Sequence, residues 1–260
     1  MNEGKQRILV IPDAQVKEGT PTNHLLAAGN YIVKHKPDVI VVIGDWWDMP
    51  SLNFYGKKME LEGLRIKKDI EVGSKAMDLF LSPLKKLQAK QKKNKKKPYN
   101  PRLVFTVGNH EPHVRVPRIY KDHPELEGMI DVPRIEDWGF EVVPFLEIIE
   151  IQGIRFSHYF VNTHSAKKMP LGGQIDTMLK NAGFSFVQGH TQGLKMGKHY
   201  LAGGVCRLGI VAGSFYQHHE EYMGPQGNEH WRGIIMLNEA KDGSADICEI
   251  SLNYLLRKYL

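Results

Sequence analysis

Residues 39–48 read Val39-Ile40-Val41-Val42-Ile43-Gly44-Asp45-Trp46-Trp47-Asp48. Five successive β-branched residues are stiff at χ1 and favour the pleated backbone, so the run predicts a strand, and the glycine after it ends the strand in a turn. Two other segments are built alike. Residues 8–11 run into Asp13-Ala14-Gln15, and residues 103–107 run into Gly108-Asn109-His110-Glu111. Strands that each feed a polar or glycine-containing loop are expected to deliver those loops to one edge of a sheet.

Between the strands lie helical segments. Thr22 stands where a cap is needed for a helix running to about Lys36, stopped by Pro37. Ile70, Met77, Leu84 and Leu87, with Leu81 beside them, fall near a helical period from Asp69 onward. The first half therefore reads β-α-β-α-β. After Pro144 the texture turns strand-rich, with candidates at 145–151, 154–158, 184–188 and 205–212 and one short helix at 175–181 between them. Segments 234–237 and 247–252 close the chain as strands. Residues 90–99 read as a loop or a frayed helix end, and no repeat at solenoid spacing is visible.

Composition narrows the class. With 260 residues, 42% hydrophobic and 25% charged, the chain has enough apolar material for one large core, which excludes a disordered tail. We expect a single domain over 1–260, with a Lys-rich loop at about 85–100 and a strand- and loop-rich C-terminal part at about 193–260. No apolar run reaches membrane-spanning length, so no membrane partner is expected. Met1-Asn2-Glu3-Gly4-Lys5 passes straight into a short apolar run without a secretory h-region, and a cytoplasmic location follows as the expectation. Cys206 and Cys248 are the two cysteines, too few for a disulfide framework or a thiolate metal site. The net charge of +6 is local: residues 85–97 hold eight lysines and no acid, and outside them the balance is 27 − 29 = −2. That patch is either solvated surface or a contact for a phosphate backbone.

The chemistry sits just beyond the strands, where α/β folds place it. In order the loops carry Asp13-Ala14-Gln15, Gly44-Asp45-Trp46-Trp47-Asp48, Gly108-Asn109-His110-Glu111, Ser157-His158 and Gly189-His190-Thr191-Gln192. Each alone is weak, but the ordered set from Ile8 to Gln192 resembles the calcineurin-like metallophosphoesterase superfamily, whose pattern runs D-x-H, G-D-x-x-D, G-N-H-E/D, a lone H, then G-H-x-H. The tail, with Gly213-Ser214-Phe215-Tyr216 and residues 224–233, looks like its phage-encoded members. The resemblance implies an α/β fold with a central β-sandwich flanked by helices and two divalent cations at one edge. By it, Asp45 bridges both metals, Asn109, His158 and His190 complete one site, and Asp13, Gln15 and Gln192 serve the other.

At that second site both family histidines are glutamine here. An all-oxygen site disfavours zinc, so Mn²⁺, or else Mg²⁺, is expected. Two such cations can lower the pKa of a shared water and stabilise charge on a phosphoryl centre, so that no protein nucleophile is needed. The resemblance makes His110 the general acid, with Asp48 orienting it. Met49 follows Asp48 where the phosphatase branch has an arginine that grips a dianionic monoester, which points to diesters. Arg115, Arg118 or Arg232 could take that arginine's place. Trp46, Trp47 and Tyr55 could stack bases, with burial in the core the alternative for Trp46 and Trp47, and Lys93, Lys95 and Lys96, with Arg115, are candidates to hold a nucleic-acid substrate. The run 218–231, rich in His, Glu, Tyr and Gly, reads either as a rim over the metals or as plain turns. The expected function is a phosphodiesterase, foremost a DNA nuclease of phage-type replication, recombination or repair. A phosphomonoesterase and a catalytically silent nucleic-acid-binding module stay open beside it, and so does the oligomeric state.

Overall fold

The computed structural model describes residues 4–53, 61–163, 165, 168–220 and 224–260. Tyr55 lies outside them. The three strands expected first are present: β1 (Gln6–Ile11), β2 (Val39–Val42) and β3 (Arg102–Thr106) run parallel, and β4 (Glu141–Val143) extends them. Two strands from the C-terminal part add at the other side, β10 (Gly233–Lys241) antiparallel to β1 and β11 (Ser244–Ser251) antiparallel to β10, giving a six-stranded sheet ordered β11-β10-β1-β2-β3-β4. The second sheet has five strands. Its order is β5 (Ile149–Ile151), β6 (Ile154–Phe156), β7 (Ser185–Gln188), β9 (Cys206–Ala212) and β8 (Leu194–Tyr200), with β6, β7 and β9 parallel.

Alternation along the strands builds the layers, because successive side chains point to opposite faces. Ile8, Val10, Val39, Val41, Ile43 and Val104 face the second sheet and meet Ile154, Phe156, Val187, Leu208 and Ile210. The intervening residues Leu9, Ile11, Ile40, Val42 and Phe105 turn outward. They are covered by α1 (Asn23–His35) and α2 (Ile66–Lys93) through Leu25, Ala28, Ile32, Met77 and Phe80. On the far side, Phe186 and Val211 are capped by Met178 and Leu179 of α4 (Ile175–Ala182). Each fully buried Val, Ile, Leu or Phe contributes about 1.5–3 kcal/mol by leaving water. The result is the expected sandwich of two sheets with helices on both outer faces.

Several elements differ from the sequence reading. Helix α2 continues to Lys93, so the Lys-rich segment is helical over most of its length and its loop begins at Asn94. Thr22 precedes α1 but its side chain caps nothing; the entry is closed by the backbone bond from Leu25 to Thr22. Of the strand expected at 145–151, only β5 forms, since Leu146 has a positive φ of 69° and the chain turns there. Helix α3 (Pro112–Asp122) was hidden by its prolines, one of which supplies the first turn. The one-turn α5 (Gly224–Gly227) and α6 (Leu252–Tyr259), which packs on α1, are too short for periodicity to show. Among the described residues no helix is long and apolar enough to cross a membrane.

His24 of α1 is buried against the Phe215 ring, and its Nε2 has no partner. Burial lowers its pKa to about 3, so the imidazole is neutral in the fold and basic near 6.5 once unfolded. Its contribution to stability is therefore complete above about pH 6.5 and declines as pH falls toward 3. Chemical denaturation across pH 4–7 should show that slope, and His24→Phe should flatten it.

Candidate metal centre

Five parallel strands release the motif loops at one rim. Asp13 lies two residues past β1, Asp45 three past β2, Asn109 three past β3, and His158 and His190 two past β6 and β7. The loops are tied to one another by backbone. Gln15 N–H donates to Asp45 O at 2.9 Å, Val16 N–H to Trp46 O at 2.8 Å, and Phe215 N–H to Asp13 O at 2.8 Å. Gln15, Asp45, His190 and Gln192 have φ of 39°, 48°, 69° and 54°. Such values are uncommon without glycine and cost ~1–3 kcal/mol each, and they survive where surrounding contacts enforce them. Four of the seven expected ligands therefore sit on strained turns.

The donors converge. Asn109 Oδ1 is 3.1 Å from His158 Nε2 and 2.8 Å from His190 Nδ1, and Asp45 Oδ2 is 3.3 Å from His158 Nε2. Asp45, His158 and His190 each place one ligand atom within 4.8 Å of the others. Ligands ~2.1 Å from one cation and at right angles to each other are about 3 Å apart, so this spacing is that of a ligand set. His158 Nδ1 lies 2.9 Å from Ile43 O, the backbone partner that leaves Nε2 to face a metal. Two glycines make the approach possible. A Cβ on Gly44, at φ 95°, would lie 2.7 Å from His158 Nδ1, and one on Gly108 would lie 2.3 Å from Asp45 Oδ1.

Charge at the rim is out of balance. Asp13, Asp45 and Glu111 are all buried, with exposures of 0%, 2% and 0%. Burial pushes Asp13 well above the ordinary carboxylate range, and Asp45 and Glu111 add to the push against His158. Burial and then Asp45 lift Glu111 to about 8. Burial also opposes ionisation of Asp45, but His158 and His110 outweigh it and hold that carboxyl low. His158 answers: burial would lower it, yet Asp45 chiefly raises it to about 10. Burial, then His158, depress His190 to about 4. Glu111 Oε1 accepts from Trp46 N–H at 2.7 Å while its buried Oε2 has no partner. Buried carboxylates, carbonyl oxygens and imidazoles with one orphaned oxygen are a donor set that fits a divalent cation.

The residues expected at the second site are gathered on adjoining loops. Asp13 accepts from His190 N–H at 3.0 Å, and Gln15 and Gln192 are buried. Gln192 Oε1 accepts the Tyr216 hydroxyl at 2.6 Å, which orients the amide.

At the edge of the centre, His110 Nδ1 is 3.2 Å from Asp48 Oδ1 and 3.1 Å from Asp48 O. Its side chain is 26% exposed, so the dyad has an open side. Burial lowers the His110 pKa, but Asp45 and the bond to Asp48 more than reverse it. Lys17, which the sequence reading missed, donates to Asp48 Oδ2 at 3.1 Å and to Glu220 Oε1 at 2.7 Å. Glu220 is 2.7 Å from His218 Nε2, and its backbone is clamped by Asn228. His218 and Glu220 thus reach the rim, with Asn228 behind them. No sequence signal could have paired Lys17 with a residue 203 positions away. Glu111, by contrast, stood inside a quoted motif without a role.

Other expectations are corrected. Trp46 and Trp47 are fully buried, their indole N–H groups donating to Gly73 O and Ile70 O, so neither offers a face to a base. Arg115 is buried and donates to Met49 O and Leu52 O, bracing the loop rather than reaching for phosphate. Arg232 stacks on the Tyr216 ring at 4.5 Å and bonds Asn228 O. Lys93, Lys95 and Lys96 lie at the opposite rim, because Tyr99 of their loop donates to Pro37 O, at the start of β2. From Pro37 to Ile43 the chain spans ~20 Å at about 3.3 Å per residue.

No family model matches the sequence, and no curated protein matches it either. Among solved structures, the phosphoesterase Yfce from E. coli is 12% identical, aligned over 95% of this chain and 100% of its own, with a TM-score of 0.38. A dimetal phosphatase from Danio rerio is 10% identical over 96% and 100%, with a TM-score of 0.42. The Pseudomonas putida nuclease MPE is 12% identical over 93% and 87%, with a TM-score of 0.34.

Gly108→Ala should drive Asp45 and Glu111 apart and weaken Mn²⁺ binding at least tenfold by calorimetry, whereas an alanine at exposed Gly203 should not.

Proposed function

We propose that the chain is a divalent-metal-dependent phosphoester hydrolase, and within that class a phosphodiesterase acting on DNA. The observation that carries the reading is the Asn109 amide oxygen held between the His158 and His190 imidazoles, with buried Asp45 against one of them. Asp45, Asn109, His158 and His190 would hold one cation, and Asp13, Gln15, Gln192 and Asp45 the other. The oxygen-rich second set favours Mn²⁺ or Mg²⁺ over zinc. When bound, such a pair acidifies a water and neutralises charge on the phosphoryl oxygens.

The protein's own groups supply the rest. His110 Nδ1 is committed to Asp48, which leaves Nε2 on the open side to give a proton to the leaving oxygen. Lys17 fixes the other oxygen of Asp48 and so holds the ring's orientation. A diester is preferred because two arginines that could have gripped a dianion, Arg115 and Arg232, are committed elsewhere. DNA is preferred among diesters because a polymer can extend to the lysine-rich rim.

Mn²⁺-loaded protein should cleave DNA and a bis-aryl phosphate but not an aryl monoester. Turnover of the monoester alone would make it a phosphatase, and turnover of none a silent binding module. His110→Ala should slow cleavage about 10²- to 10⁴-fold with metal stoichiometry retained; unchanged turnover would remove His110 from its role. Metal binding to the folded state should also raise Tm, by about 2.7 kcal/mol of stabilisation at a hundredfold excess over Kd.

A further inference from the structure

The lysines at the rim opposite the metal centre stand beside a cleft that the hydrolase reading does not use. The cleft, about 400 Å³, lies between the last turns of α2 and the starts of β3 and β4; Lys85, Gln88, Asn100, Arg102 and Trp138 line it. Its acidic groups are answered locally. Glu141 pairs with Arg102 at 2.8 Å, and Asp78 accepts from the Trp138 indole at 3.0 Å and lies 3.4 Å from Lys85. The lysines beyond it are not. Lys86, Lys90, Lys92, Lys93, Lys95, Lys96 and Lys97 are exposed, and among the described residues none is within ion-pair distance of a carboxylate.

We propose that this rim is a second, non-catalytic nucleic-acid site, in which a single strand lays its phosphates along the lysines and one base enters the cleft against Trp138. Three observations point there. Lysines are point charges without a fork, suited to a phosphate backbone of any sequence. A half-buried indole in the wall of the cleft offers a base a stacking partner, and the Gln88 amide beside it is held in place by its bonds to Tyr99 O and Asn100 Oδ1. No large exposed hydrophobic residue lies between 85 and 141 except Met129, so the patch has little with which to enter a lipid surface. The site would hold a polymer while its far end meets the metals, and this extends the phosphodiesterase reading without needing turnover.

The test is fluorescence anisotropy of labelled oligo-dT of thirty nucleotides with the full chain in EDTA, so that binding is read without hydrolysis. Neutralising Lys92, Lys93, Lys95, Lys96 and Lys97 to Gln should weaken binding more than tenfold near 0.1 M salt. It should also make the slope of log K against log salt shallower by about three. Trp138→Leu should weaken binding about five- to hundredfold, and Trp138→Phe should restore most of it. Unchanged affinity and salt slope in the five-lysine variant would overturn the proposal. So would binding that is abolished by His190→Ala but not by the lysine changes, or lysine-dependent capture on phosphatidylserine vesicles with no binding of oligo-dT. None of these outcomes touches the metal-dependent hydrolysis, which is read separately.

Discussion

Three carboxylates, Asp13, Asp45 and Glu111, are buried where two sheets meet, with the His158 imidazole among them and His110 at their edge. Isolated ionised carboxylates are not taken out of water without compensation, because their solvation cannot be matched by an apolar interior. Much of the local architecture follows from that constraint. The loops that carry these groups are laced to one another by backbone hydrogen bonds, and glycines stand where a side chain would push the oxygens apart. A divalent cation is a charge that would relieve the imbalance, and the oxygens of Asp13, Gln15, Asp45 and Gln192 are donors of the kind harder cations prefer.

The sandwich supplies the rigidity that this arrangement needs. Five of its parallel strands end at one rim, three from one sheet and two from the other, so the centre is built across the seam between the sheets. Strained turns at Gln15, Asp45 and His190 are held in place because the strand ends that lead into them, in β1, β2 and β7, are buried. Outward from the metals the polar chain His110–Asp48–Lys17–Glu220–His218 links the loops after β1, β2, β3 and β9. That chain makes the C-terminal segment a structural part of the rim.

The two rims of the first sheet differ in kind. One buries acids and gathers ligands; the other exposes lysines around an open cleft. A helix that starts near the metal rim, where Ser51 N–H bonds Asp69, and ends among the lysines carries the chain between them.

Residue order alone determined the first three strands and the motif loops beyond them, since β-branched runs and the glycines that follow them are local chemistry. It also placed Asp13, Asp45, Asn109, His158 and His190 at strand ends, from which their convergence could be expected. It left Trp46 and Trp47 between core and cleft and set Arg115 at the substrate, because a large amphipathic side chain next to a motif is compatible with both places until the fold closes around it. It could not say at which rim the lysines stand, because the direction of one helix carries them away from the metal centre. Lys17 and Glu220 were beyond its reach for a plain reason: a salt bridge closing across 203 residues exists only once both sheets have folded.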